Sequence, residues 1–435
     1  MADNKKLLSF LNSSVSNYHA VLEITKQLEE AGFEELLEVN PWKIEKGGKY
    51  YTTRNDSSVI AFQVGKKLND YHFQVSAAHT DSPTFKVKEN AELCGKGGYL
   101  QLNTEGYGGM INASWFDRPL SLAGRVLVKE GNRIVSRLLK IDQDLLVIPN
   151  VAIHLNRDAN NGFKYNPQVD LLPLFSAGEC KEGAYKQLLA DCLGVDVSMI
   201  LGHDMSLYNR NQAILWGVKN EFISSPRLDN LQCTFATLQG FMQSDNEEII
   251  RVYTSFDNEE VGSSTKQGAG STFLYDVLQR INHALNFEED AYYQAIAKSY
   301  LLSCDNAHAL HPNHPELSDA TNCAYLNKGI VVKYNANQRY TTDATSNAIF
   351  MDLCNRHNIP TQVFANRSDM MGGSTLGNIL STKVSMKAID IGLPQLAMHS
   401  AYESAGSKDS AYLIEASKAF FSSTIITKNS NIEIK

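Results

Sequence analysis

The stretch IIRVYTSFDNEE, residues 249–260, decides the fold. Ile249 to Phe256 is rich in apolar, β-branched and aromatic residues, as a buried strand requires, and it stops abruptly at Asp257-Asn258-Glu259-Glu260. Periodic apolar runs on either side predict helices over Leu231–Gln243 and Thr272–Leu285. The same exchange continues towards the C-terminus. Strands are predicted at Ser299–Cys304, Ile330–Tyr334, Thr361–Ala365 and Ala388–Ile391, and helices at Thr345–Arg356, Thr375–Leu380 and Ala411–Ser422. Strand and helix in turn predict an α/β fold with a layered sheet.

Upstream, one amphipathic helix is expected from Leu7 to a stop at Gly32, followed by strands Tyr50–Thr53, Val59–Val64 and Tyr71–Ala78. These strands need partners elsewhere, so residues 1–88 and 217–435 are expected to form one domain. Between them, residues 89–216 carry clustered glycines and short alternating strands such as Arg125–Val128 and Leu145–Ile148, an inserted β-rich lobe. The 435-residue length suits such a division.

A formal charge of -8 leaves no basic footprint for nucleic acid, and no apolar run is long enough to span a membrane. Asn12, Ser13 and Ser14 break the N-terminal apolar stretch, so no signal peptide is expected there. The seven cysteines are scattered without a C-x-x-C pair, so a reducing, cytoplasmic setting is expected rather than a disulfide framework or zinc knuckle.

Five polar clusters fall at strand ends or helix starts: His79-Thr80-Asp81, Arg227-Leu228-Asp229-Asn230, Asp257 to Glu260, Asp305-Asn306-Ala307-His308, and Met398-His399-Ser400. The carboxyl ends of strands in an open α/β sheet converge on a ligand crevice. Two histidines and three carboxylates, one shared, would meet the needs of two divalent cations. A further carboxylate must stay off the metal to carry a proton, and adjacent Glu259 and Glu260 offer that pair. Asp81 is placed to accept the other imidazole N–H of His79.

Each cluster also has a structural use. A strand-end histidine can be a hydrogen-bonded rim residue, Asp229 a helix N-cap, and paired glutamates a solvated turn. His308, His311 and His314 share no helical face, because Pro312 and Pro315 break a helix there. The zincin, P-loop, dinucleotide-binding and nucleophile-elbow motifs are absent.

Longer stretches carry a resemblance: SAAHTDSPTFKVK, VAIHLNR, SSPRLDNL, FDNEEVGSSTKQGA, SCDNAHALHPNH, KYNANQRYTTDA, RSDMMGGSTLG and LPQLAMHS. In order and content the chain resembles the aspartyl aminopeptidase family of binuclear zinc metallopeptidases. The resemblance implies a zinc-peptidase domain with an inserted dimerisation domain, and a tetrahedral dodecamer built from dimers. It implies two zinc ions per subunit, replaceable by cobalt or manganese. His79 and Asp305 would hold one, Glu260 and His399 the other, and Asp229 would bridge them. Glu259 matches the general base of a bridging-water mechanism, and Asp81 the aspartate that orients His79.

His154 matches a histidine that enters a neighbouring subunit's site to steady the oxyanion; a strand histidine is its ordinary use. Lys333 matches a lysine beside the pocket for the first side chain, where a cation favours Asp or Glu. The stretch Arg367–Gly377 departs from the family at Met370-Met371-Gly372, where adaptable methionines would admit neutral residues. The expected activity is removal of N-terminal residues, acidic ones first, from peptides. Two other readings are a di-metal carboxypeptidase or N-acyl-amino-acid deacylase, which would tolerate a blocked N-terminus, and a silent oligomeric scaffold. The presence of all five matched ligands and the base argues against the scaffold.

Overall fold

The computed structural model describes residues 2–428 and 431–435, which divide into two compact units. The first comprises residues 1–81, 213–398 and 403–435; the second comprises 82–212 and 399–402. Among the described residues, no helix is long and apolar enough to cross a membrane.

The first unit is built on a mixed nine-stranded sheet. From one edge to the other its strands are Glu34–Glu35, Lys49–Arg54, Ser58–Val64, Ile250–Phe256, Phe73–His79, Tyr300–Cys304, Lys387–Gly392, Ile330–Tyr334 and Thr361–Ala365. Four central strands, 58–64, 250–256, 73–79 and 300–304, are buried at every position, as strands covered on both faces must be. Their side chains alternate between two cores. Val59, Ala61, Tyr253 and Leu302 meet Phe235, Phe350 and Leu413 from helices Leu228–Gln243, Ala344–Arg356 and Asp409–Ser422. Ile60, Phe62, Val252 and Leu301 meet Phe273, Tyr292 and Leu380 from helices Phe273–Ala284, Glu289–Lys298 and Leu376–Lys383 on the other face. The result is a sheet between two helical layers, the α/β architecture expected.

Some local expectations differ. The single N-terminal helix is two, Ala2–Ser13 and Asn17–Glu30. Ser16 is extended and its hydroxyl accepts from His19 N–H at 3.4 Å, so it caps a new helix where one continuous helix was expected. Leu145–Ile148 forms only isolated bridges rather than a strand. Helix Glu289–Lys298 and a second sheet, of strands 214–216, 222–225, 403–406, 394–396 and 307–308, add to the elements expected. Strands that short show too few alternations to register.

The second unit carries a six-stranded antiparallel sheet in the order 133–140, 120–130, 200–209, 84–94, 100–107, 174–176, with helix Ala184–Leu193. Its core includes Phe85, Leu102, Trp115, Leu122, Val126 and Leu189. His154 lies in this unit on an exposed turn, closed by a 2.8 Å bond from Leu155 N–H to the Ala152 carbonyl, and not in a strand.

Candidate metal centre

Register brings the polar clusters of the first unit together. Strands 250–256 and 73–79 are parallel with Phe256 opposite His79, and strand 300–304 runs parallel to 73–79 with Ser303 opposite Ala77. The chain therefore delivers His79, the 257–260 turn and Asp305 at the same end of three neighbouring strands. Asp229 arrives from the start of helix Leu228–Gln243. Arg227 is left-handed (φ 60°) and Asp229 extended (φ −78°, ψ 109°), so the carboxylate is presented before helical geometry begins. Thr234 Oγ1 donates to the His79 carbonyl (2.7 Å) and Asn230 Nδ2 to the Cys304 carbonyl (2.8 Å), tying this helix to both strand ends.

The Glu259–Val261 turn is bracketed by left-handed Asn258 and Gly262. Asn258 Oδ1 accepts from Thr265 Oγ1 (2.8 Å) and Gln267 Nε2 (2.7 Å). Asp81, buried at 3 % exposure, accepts the N–H of Glu259 on one oxygen and of Glu260 on the other, both at 3.2 Å. The Asp81 backbone carbonyl lies 3.1 Å from His79 Nδ1, and its carboxylate lies 3.4 Å from the same atom. Asp81 thus clamps the glutamate turn and the histidine ring together, and the nearer acceptor for the ring is its main chain.

With Nδ1 turned to Asp81, His79 Nε2 faces Asp229 Oδ1 at 3.4 Å and Asp305 Oδ1 at 3.5 Å. Ligand atoms set tetrahedrally about a cation at roughly 2.0–2.1 Å stand about 3.3–3.4 Å apart, so these separations fit a zinc-sized ion. His79, Asp229 and Asp305 offer ligand atoms within 4.8 Å of one another, and so do His79, Glu259 and Glu260. Burial opposes charge on His79, yet Asp229, Asp305 and Asp81 together raise its pKa well above the usual imidazole range. Burial and the neighbouring carboxylates push Glu259 up to about 8 and Glu260 well above the ordinary carboxyl range, against the opposing pull of His79. Five carboxylates around one imidazole make a donor set that calls for cationic charge.

Lys333, on strand 330–334, is 2 % exposed. Its ammonium donates to the Asn306 carbonyl (3.0 Å), stands 3.6 Å from Asp305 Oδ2 and lies 5.3 Å from the Tyr340 ring centroid. Burial works against its charge, but Asp305 raises its pKa above the ordinary lysine value. His399 belongs to the four-residue segment 399–402 of the second unit, immediately after Met398 of the first, and its carbonyl accepts the Ile111 N–H at 3.0 Å. Gln395 and Glu403, both buried beside Asp229 and Asn306, drew no notice in the sequence. Gln395 stands in the matching stretch LPQLAMHS, and a glutamate among small residues in ESAG is the one signal of Glu403.

A layered α/β unit whose strand ends gather imidazole and carboxylates in this way has the frame of a metal-dependent hydrolase. The family model described as aminopeptidase I zinc metalloprotease (M18) matches residues 10–421, and the chain belongs to this family of zinc aminopeptidases. A "Probable M18 family aminopeptidase 2" from Clostridium novyi is 45% identical over 422 residues, covering 96% of this chain and 98% of the relative. A cryo-EM structure described as the Ape4 and Nbr1 complex superposes with a TM-score of 0.93 at 40% identity, covering 96% of this chain and 85% of that one. The dodecamer of mApe1 from S. cerevisiae gives a TM-score of 0.84 at 27% identity, with 96% of each chain covered.

Proposed function

We propose that this aminopeptidase removes acidic N-terminal residues from peptides, using two zinc ions per chain, for which cobalt or manganese can substitute. His79 and Asp305 would hold one ion, Glu260 and His399 the other, with Asp229 shared. The observation that carries the reading is the approach of Asp229 and Asp305 to His79 Nε2 at 3.4 and 3.5 Å, the spacing of ligands on a single cation. His399 enters as a matched family residue one position beyond the first unit. When bound, the ions supply Lewis-acid polarisation of the scissile carbonyl and acidify water.

The chain's own residues do the rest. Glu259 takes the proton of the attacking water and delivers it to the leaving amine, held in reach by the Asp81 clamp on its backbone N–H. Lys333 places a fixed cation beside Asp305, where an acidic first side chain gains and a basic one is repelled. His154, exposed on its turn, is free to extend into the site of a second copy and steady the developing oxyanion. That role makes the active form a homo-oligomer paired through the second unit, and the dodecamer of the S. cerevisiae protein supports a larger assembly of such pairs. All seven cysteines are free thiols, three of them exposed, which suits action in the reducing cytoplasm.

The test is hydrolysis of Asp-, Glu-, Leu- and Lys-anilides, free and N-acetylated, by the native assembly with chelator and then zinc add-back. Cleavage confined to free-amine substrates, metal-dependent and fastest for Asp and Glu, is expected. Cleavage of the acetylated set would make the chain a deacylase. Equal rates for Asp and Leu would remove the role given to Lys333.

A further inference from the structure

Behind Asp229 and Asp305, wholly within the first unit, runs a line of buried amides that ends on a carboxylate. Asn306 Nδ2 shares its two hydrogens among three surrounding acceptors, the Leu228 carbonyl (3.3 Å), Gln232 Oε1 (3.2 Å) and, nearest, Gln395 Oε1 (2.6 Å). Gln395 Nε2 in turn donates to Glu403 Oε1 (3.3 Å), and Glu403 Oε2 accepts the backbone N–H of Asp229 (3.1 Å). Asn306, Gln395 and Glu403 are 3 %, 1 % and 2 % exposed, so bulk water cannot replace a bond that fails.

The direction of this line is forced from both ends. The Leu228 carbonyl only accepts, so Asn306 must turn its NH2 inward, and its Oδ1 then receives the Cys233 thiol at 2.8 Å. Gln395 must answer with its carbonyl and therefore shows its own NH2 to residue 403. At the far end the Asp229 N–H only donates. Residue 403 faces a donor on each side-chain oxygen, a demand that a carboxylate meets and a glutamine, with one oxygen replaced by NH2, does not. Asn306 directly follows Asp305, so the line couples the backbones that carry two of the metal-facing carboxylates.

We infer that Glu403 is a positioning residue for the metal centre: by receiving the Asp229 N–H and the Gln395 amide it sets the backbone of Asp229 against that of Asp305. This rests on Asp229 and Asp305 being zinc ligands, as proposed above. Partners that orient metal ligands govern about 10–100-fold in affinity or activity.

The experiment compares zinc affinity of the chelated and reloaded assembly, kcat and KM for wild type, Asp229→Ala, Glu403→Gln, Gln395→Glu and the Gln395→Glu/Glu403→Gln pair. The paired swap restores every donor to an acceptor: the carboxylate placed at position 395 accepts from both Asn306 and the new amide at position 403, whose oxygen accepts the Asp229 N–H. Each single change at 395 or 403 should weaken zinc binding and kcat by about 10–100-fold with KM within about twofold. The pair should recover both to within about fivefold of wild type. If either single variant fails to assemble, recovery in the pair remains the deciding measurement. A pair as impaired as Glu403→Gln, or a Glu403→Gln variant with wild-type zinc affinity and kcat, overturns the inference. Undiminished zinc binding by Asp229→Ala would instead overturn the ligand reading on which it stands.

Discussion

Replacing Asp81 by Asn tests whether this residue serves the glutamate turn. Its two oxygens accept the N–H groups of Glu259 and Glu260 at 3.2 Å each, in a site 3 % exposed. Asparagine keeps one acceptor and sets an NH2 against the other N–H. A buried donor left unsatisfied costs about 1–3 kcal/mol, so the chelated protein should lose about 2 kcal/mol of stability and melt a few degrees lower. If the turn relaxes to find another acceptor, Glu259 moves with it, and a similar energy withheld from the transition state lowers kcat about 30-fold. The Asp81 backbone carbonyl, 3.1 Å from His79 Nδ1, is untouched by the change, so the nearest acceptor of the imidazole survives. Melting of the chelated protein and kcat at saturating zinc are the assays. An Asn variant that melts with wild type and keeps its kcat would refute the clamp; full kcat with lowered stability would confine Asp81 to holding the fold.

Three further outcomes are expected. Glu259→Gln should keep zinc affinity and assembly while kcat falls about 10²–10⁴-fold, the range for loss of a positioned proton carrier; an active variant would remove Glu259 from that role. In Gly392→Ala the new Cβ would overlap the Asp305 backbone carbonyl, so a loss of about 2–3 kcal/mol by denaturant titration, with weakened zinc binding, should follow; wild-type stability would show that the strand can shift. Asp409 is buried and its carboxyl is pushed up to about 6, against the N–H bonds from Asn327 and Gly329 that favour the anion. The folded state therefore holds a proton that the unfolded chain releases near pH 4, and stability falls as pH rises from about 4 to 6. That fall amounts to about 3 kcal/mol, and the Asp409→Asn variant should lack it in denaturation curves taken across the window; an unchanged slope would refute the assignment.

Much of the first unit is legible locally. Strands Ile330–Tyr334 and Thr361–Ala365 coincide with their predicted bounds, and 250–256 and 300–304 lie within a residue, because each run is rich in β-branched, aromatic and other apolar residues and ends where polar residues or turn formers begin. Those endings also mark His79, Asp257–Glu260 and Asp305, since the ligand crevice of an open α/β sheet lies beyond the carboxyl ends of its strands. The short strands 394–396 and 403–406 escape notice because each is too brief to show a period, and with them went Gln395 and Glu403.

Residue types and strand ends are local properties, written in burial patterns that each segment must satisfy alone. Which groups meet is a different matter. Asp229 reads equally well as a helix cap, and only the left-handed turn at Arg227 and the bond from its N–H to Glu403, 174 positions away, give its carboxylate the aim it has. Nor does the pair Glu259-Glu260 say which backbone it leans on; the Asp81 carboxylate, arriving from a parallel strand in register, does that. Local pattern follows from periodicity along the chain, whereas these convergences depend on strand order, register and hydrogen-bond direction between segments distant in sequence.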